Sequence, residues 1–149
     1  MALSTNDIVE IQQLQALYGH AVDAEDSTLL AQVFSAQAVF DARGAGPNSL
    51  KVGLEAICAW FAKGKPPHPL THTMSNVWVH ESDGEVRVKA KWFVRAHDGT
   101  LWFGDYDDVM VHSANGWRIA HRVATVRDPR PQRGGVAAAD RDVGEYLSK

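Results

Sequence analysis

The segment PPHPLTHTMSN, residues 66–76, sets two imidazoles, His68 and His72, four positions apart. Histidine is the side chain whose ordinary titration range lies next to neutral pH, so such a pair can bind a metal, move a proton or simply fill a fold. Spacing of four places two ligands on one face only in a helix. Pro66, Pro67 and Pro69 oppose a helix here, because each removes an amide donor and crowds the preceding turn. No third ligand is apparent, so no metal site is assigned; His68 is read as a loop residue and His72 as the start of a strand. Asp105, Asp107 and Asp108 crowd a second strand-like stretch. Successive strand side chains face opposite sides, so one of the three can face an interior as a base while solvent takes the others. Cys58 has no activating cation near it in the chain and lies on an apolar helical face, which reads as an inert thiol. RGAGPNS contains a Gly-x-Gly but lacks the further glycine and the lysine of a phosphate-binding loop, and is read as a turn.

These residues need elements to hold them. Ile8, Ile11, Leu14, Leu17, Tyr18, Ala21 and Val22 recur at spacings of three and four, which predicts a helix with one buried stripe, N-capped by Ser4 or Thr5. Asp23 and His20 fall off that stripe. A second helix is expected from Asp26, with Leu29, Leu30, Val33 and Phe34 as its apolar face. AVFDARGAGPNS reads as a brief strand entering a loop. GLEAICAWFAKG reads as a third helix from about Gly53, with Gly64 as a left-handed stop. From residue 72 the period changes to two. EVRVKAKWFVRA alternates apolar and charged residues, and turn residues before and after it separate four strands into successive hairpins, the last turning at Asn115 and Gly116. Helices first and a four-stranded meander second predict an α+β domain whose helices cover one face of a curved sheet. Arg118 and Arg122 share a strand face, which is read as facing solvent or a partner subunit. The tail from Asp128 to Lys149, with prolines and glycines at close spacing and a short helix expected from Val136, is read as a lid, a dimer arm or a disordered end.

Composition limits the functions open to this chain. Its 149 residues, 45% hydrophobic, suffice for one domain with a full core and are too few for two ordinary ones. Fifteen basic against 18 acidic residues, without a long run of either sign, leave no electrostatic footprint for nucleic acid or an anionic membrane. One cysteine excludes an internal disulfide, and no stretch approaches the roughly 18 apolar residues of a membrane-spanning helix. With no signal-like start, cytoplasmic residence is the expectation. A sheet with apolar residues on both faces predicts a homodimer that covers the outer one.

The order of elements, with YGHAVDAED at 18–26, VFSAQAVFD at 33–41, GLEAICAWF at 53–61, THTMSN at 71–76 and GWRIAHR at 116–122, resembles the SnoaL-like branch of the nuclear transport factor 2-like superfamily over residues 5–127. The resemblance implies a cone-shaped barrel: a strongly curved, mostly antiparallel sheet and three helices enclosing one deep pocket. Scytalone dehydratase and hexachlorocyclohexane dehydrochlorinase, members of this superfamily, carry an aspartate late in the first helix and a histidine early in the strand after the third. Asp23 and His72 occupy those places. The resemblance therefore implies an Asp–His pair at the pocket, acting without metal or organic cofactor. A carboxylate bonded to one imidazole nitrogen fixes the tautomer and leaves the other nitrogen as a base, which suits elimination from an apolar cyclic or aromatic molecule. Tyr18, His20, Asn76 and Tyr106 are candidates to stabilise enolate-like charge, and Trp92, with the other tryptophans, to line the pocket. The lysine and arginine of the dehydrochlorinase have no counterpart beside Asp23 or on the third strand, which favours loss of water over loss of halide. Polyketide cyclase or ketosteroid-type isomerase chemistry, with an aspartate as base, and a noncatalytic ligand-binding module are the alternatives.

Overall fold

The computed structural model describes residues 2–127. The tail expected to serve as lid or arm, with its short helix, lies outside them. Three helices, α1 (Thr5–Asp23), α2 (Ser27–Val33) and α3 (Leu54–Phe61), and six strands, β1 (Phe34–Asp41), β2 (Leu50–Val52), β3 (His72–Ser82), β4 (Glu85–Arg95), β5 (Leu101–Ser113) and β6 (Gly116–Arg127), make an α+β fold.

Helices α1 and α2 start where a side chain satisfies unpaired amides, whereas α3 starts at Gly53 without a side-chain cap. Ser4 caps α1: its hydroxyl accepts from the Asp7 amide at 3.1 Å while the Asp7 carboxylate accepts from the Ser4 amide at 2.9 Å. Bonds from Ser4, and then from the Trp117 indole at 2.8 Å, lower the Asp7 carboxyl to about 2. Asp26 caps α2 through the amides of Thr28 and Leu29. Gly64 adopts the expected left-handed conformation, with φ of 82°, just beyond α3.

The sheet runs β2-β1-β6-β5-β4-β3. The expected meander is present as β3 to β6, all antiparallel, and β1 adds to it in parallel alongside β6. The three-residue β2, which follows the segment read as a strand entering a loop, pairs with β1. The two outer strands β2 and β3 do not meet, so the sheet is curved but open; the expected closure into a barrel is corrected. Two bulges govern which residues face inward. In β6, Ile119 pairs with Met110 and His121 with Val109, leaving Ala120 as the extra residue. In β3, Ser75 pairs with Lys91 and Trp78 with Lys89, so one extra residue lies at Asn76 and Val77. An extra residue reverses the inward face of everything beyond it.

The core lies between the helices and the inner sheet face. It is built from Ile11, Leu14, Tyr18 and Val22 of α1, Leu30 and Val33 of α2, Ile57 and Phe61 of α3, and inward residues such as Val88, Trp92, Tyr106 and Ile119. Gly104 on β5 lies directly across from Trp92, where a Cβ would stand 1.9 Å from the Thr125 carbonyl oxygen and 2.3 Å from the Trp92 indole. A side chain there cannot be accommodated without moving either backbone or indole. Gly104→Ala is therefore expected to destabilise the fold by about 1–3 kcal/mol, measured by urea unfolding; an unchanged midpoint would show that the indole yields without cost.

Candidate active site

α1 ends against the start of β3. Gly19 permits the approach, since a Cβ there would meet the His72 carbonyl oxygen at 3.0 Å. Asp23 follows one turn later on the same side of the helix. Its carboxylate gathers four bonds. Both oxygens accept from the His72 amide, at 3.1 and 3.0 Å, Oδ1 accepts from His72 Nδ1 at 2.7 Å, and Oδ2 accepts from the Thr71 hydroxyl at 3.2 Å. The Lys65 ammonium donates to the Asp23 carbonyl, which places a cation at the negative end of α1.

This arrangement sets protonation states. Burial by itself would raise the Asp23 carboxyl, but the bonds from the His72 ring and amide, the imidazole's charge and the Thr71 hydroxyl outweigh it and hold the group below the ordinary carboxylate range. An ionised carboxylate can only accept, so Nδ1 of His72 carries a proton, and in the neutral form of the ring the lone pair lies on Nε2. The His72 side chain is 8% exposed.

His72 lines a cavity of about 400 Å³, within the range that holds a small organic molecule. Tyr18, Trp92 and Tyr106 line it too, with Phe40, Trp60 and Phe61 adding apolar surface. The Tyr18 and Tyr106 hydroxyls lie 3.4 Å apart. Burial pushes both phenols up, so they remain protonated donors at neutral pH. Two residues expected at the site lie elsewhere. His20 is exposed on α1, and Asn76, in the left-handed conformation at the β3 bulge, is exposed as well. Strict alternation from His72 would have turned Asn76 inward; the extra residue ejects it.

The β6 bulge has the opposite effect on Arg122. Read as facing solvent or a partner, it is instead fully buried, because Ala120 reverses the strand's facing between Arg118 and Arg122. Its guanidinium bonds Asp108 twice, at 2.8 and 2.7 Å, and the Gln15 amide oxygen, while Gln15 in turn donates to Asp108 at 2.7 Å. Asp108 is thus the inward member of the aspartate cluster, committed to a salt bridge rather than placed as a base in the cavity. Asp105 and Asp107 lie on the other face, paired with Lys91 and Arg127 and with Lys89. Arg122 Cζ sits 4.2 and 4.1 Å from the Tyr18 and Tyr106 ring centroids. Burial opposes its charge, but Asp108 more than offsets this and the guanidinium stays protonated. His68, expected as a loop residue with no part in the site, lines the cavity from that loop. Among the described residues no group of three or more His, Cys, Asp or Glu is arranged to hold a metal ion, and no helix is long and apolar enough to cross a membrane.

The model of the SnoaL-like domain matches residues 4–123. The chain belongs to the SnoaL-like family. That family includes dehydratases, cyclases and isomerases. The fold of this SnoaL-like chain is similar to that of a protein with a cystatin-like fold from Nostoc punctiforme, with a TM-score of 0.72 and 18% identity over 88% of this chain and 98% of that one. It is similar also to an NTF2-like protein from Novosphingobium aromaticivorans, at 0.70 and 20% over 84% of both chains. A nuclear transport factor 2-like superfamily protein from Salmonella enterica serovar Typhimurium matches at 0.67 and 19%, over 90% of this chain and 97% of the other. No curated protein matches the chain.

Since the folded Asp23 carboxyl titrates below its unfolded counterpart, its stabilisation is present above about pH 4 and lost as pH falls through the folded value. At neutral pH, Asp23→Asn is expected to be less stable than the wild type by about 1–3 kcal/mol. In urea titrations the difference should shrink on acidification; a gap independent of pH would contradict the assignment of an ionised, bonded carboxylate.

Proposed function

We propose that this SnoaL-like protein is a small lyase of dehydratase type that needs no cofactor and acts on an apolar cyclic or aromatic molecule. The observation that carries the reading is the 2.7 Å bond between Asp23 and His72 Nδ1 at the wall of a largely apolar cavity. With Nδ1–H fixed on the carboxylate, Nε2 is the nitrogen free to take a proton from carbon beside a carbonyl. The C–H electron pair becomes the new C=C bond as the C–O bond to a β-hydroxyl breaks. The departing oxygen recovers the proton from the imidazolium, so the products are an unsaturated carbonyl compound and water. Asp23 stabilises the imidazolium between the two transfers. One phenol of the Tyr18–Tyr106 pair can donate to the carbonyl oxygen and stabilise charge that develops there.

Chemistry in which an aspartate is itself the base, as in the isomerase alternative, is less well supported. Both Asp23 oxygens already accept protein donors, and those bonds weaken the carboxylate as a base.

Proton abstraction can be tested without the natural substrate by following hydrogen–deuterium exchange beside the carbonyl of 2-tetralone in D₂O by NMR. The wild type is expected to accelerate exchange, and His72→Ala and Asp23→Asn each to lose about 100- to 10,000-fold of that acceleration. Undiminished exchange in His72→Ala, or none in the wild type, would leave a binding module as the better reading.

A further inference from the structure

His68 was assigned to the loop between α3 and β3, and the elimination chemistry makes no use of it. It is nonetheless a built feature. The residue is 7% exposed and held by three bonds: its amide donates to the Gly64 carbonyl at 3.1 Å, its carbonyl accepts from His97 Nε2 at 3.0 Å, and its ring Nε2 bonds the Trp60 carbonyl oxygen at 2.6 Å. The Trp60 and Phe61 rings pack on the imidazole with centroids at 5.0 and 5.1 Å, which fixes its plane.

The third bond sets the ring's chemistry. A carbonyl oxygen can only accept, so Nε2 carries the hydrogen and Nδ1 holds the lone pair. Burial, the largest influence on this imidazole, lowers its pKa and favours the neutral form, in which Nδ1 has no proton to give. Tyr18, Tyr106 and Ser49, other polar residues of the cavity, carry hydroxyls that can rotate to donate or accept. His68 has no such freedom. Its partner has to be a donor, and a ligand that puts an ether oxygen or a carbonyl against it leaves two lone pairs facing each other.

From this we infer that His68 is a specificity-determining residue, whose Nδ1 accepts a hydrogen bond from a hydroxyl or N–H group of the bound ligand. The inference rests on the cavity being the ligand site of the proposed lyase and adds what that ligand must carry: a hydrogen-bond donor besides the carbonyl at which His72 acts. It also separates the two imidazoles by duty. His72, backed by Asp23, exchanges a proton with the substrate, whereas His68, neutral and without a proton on Nδ1, orients a hydroxyl and protonates nothing.

The test is a binding comparison on the whole chain, with 2-naphthol and 2-methoxynaphthalene as probes, the second carrying a methyl in place of the hydroxyl hydrogen, followed by quenching of tryptophan fluorescence. The wild type is expected to prefer the naphthol by about tenfold, the worth of one hydrogen bond made in place of one lost. His68→Phe, which keeps a planar ring, is expected to bind both probes with equal strength. A preference that persists in His68→Phe assigns the donor to another residue and overturns the inference, and so does a wild type that does not discriminate. A long-range ¹H–¹⁵N spectrum of the unmodified protein gives an independent reading, with the His68 ring expected as the Nε2–H tautomer; the Nδ1–H tautomer or the imidazolium at neutral pH would refute it even if the variant does not fold. Neither measurement requires turnover, so failure of exchange in 2-tetralone and failure of the naphthol preference are separate results.

Discussion

The buried charge of Arg122 constrains everything around it. A guanidinium without solvent is tolerable only if its partners are present, and these come from three places: Gln15 on α1, Asp108 on β5, and the faces of Tyr18 and Tyr106. Apolar replacements of equal volume often pack as well as a buried ion pair, so the cluster is better understood as specifying an arrangement than as a source of stability. It sets the register of α1 over the sheet. It also holds the two phenols side by side with their hydroxyls 3.4 Å apart. Nη1 of Arg122 has no hydrogen-bond partner among the described residues.

Once α1 is fixed, its C-terminus is fixed too, and with it the carboxylate of Asp23. A carboxylate bonded only to an imidazole would leave the ring free to swing with its strand. Here the same carboxylate also takes the amide of His72, so ring and backbone are held by one group. The geometry that the proposed proton transfer needs is thereby tied to the start of β3 rather than to the freedom of a side chain.

The large periodicities were legible in the chain. The α1 stripe, the start of α2 near Asp26 and the hairpin turns around β4 are local consequences of residue type, and Asp23 and His72 stood out through the family pattern. What escaped depends on register. Gln15 is a polar residue on a buried stripe, and its one sequence-level clue was its place beside Leu14. Asn76 and Arg122 were both misplaced for one reason: each lies at or beyond a single extra residue that reverses a strand's facing, and such an insertion follows from pairing with the neighbouring strand, not from composition. His68 looked like loop filler, because nothing in HPLTH indicates that Trp60 would offer it a carbonyl.

Lys65 and Thr71 both bond Asp23, one through the backbone carbonyl and one through the carboxylate. Residues 66–70 therefore form a short arch with both feet on a single residue, and His68 stands at its crown. Asp23 and His72, the pair proposed to react, belong to the footing, and His68, proposed to discriminate, to the span. A change confined to the arch can thus reshape the wall that His68 lends the cavity while the bonds between Asp23 and His72 are left as they were.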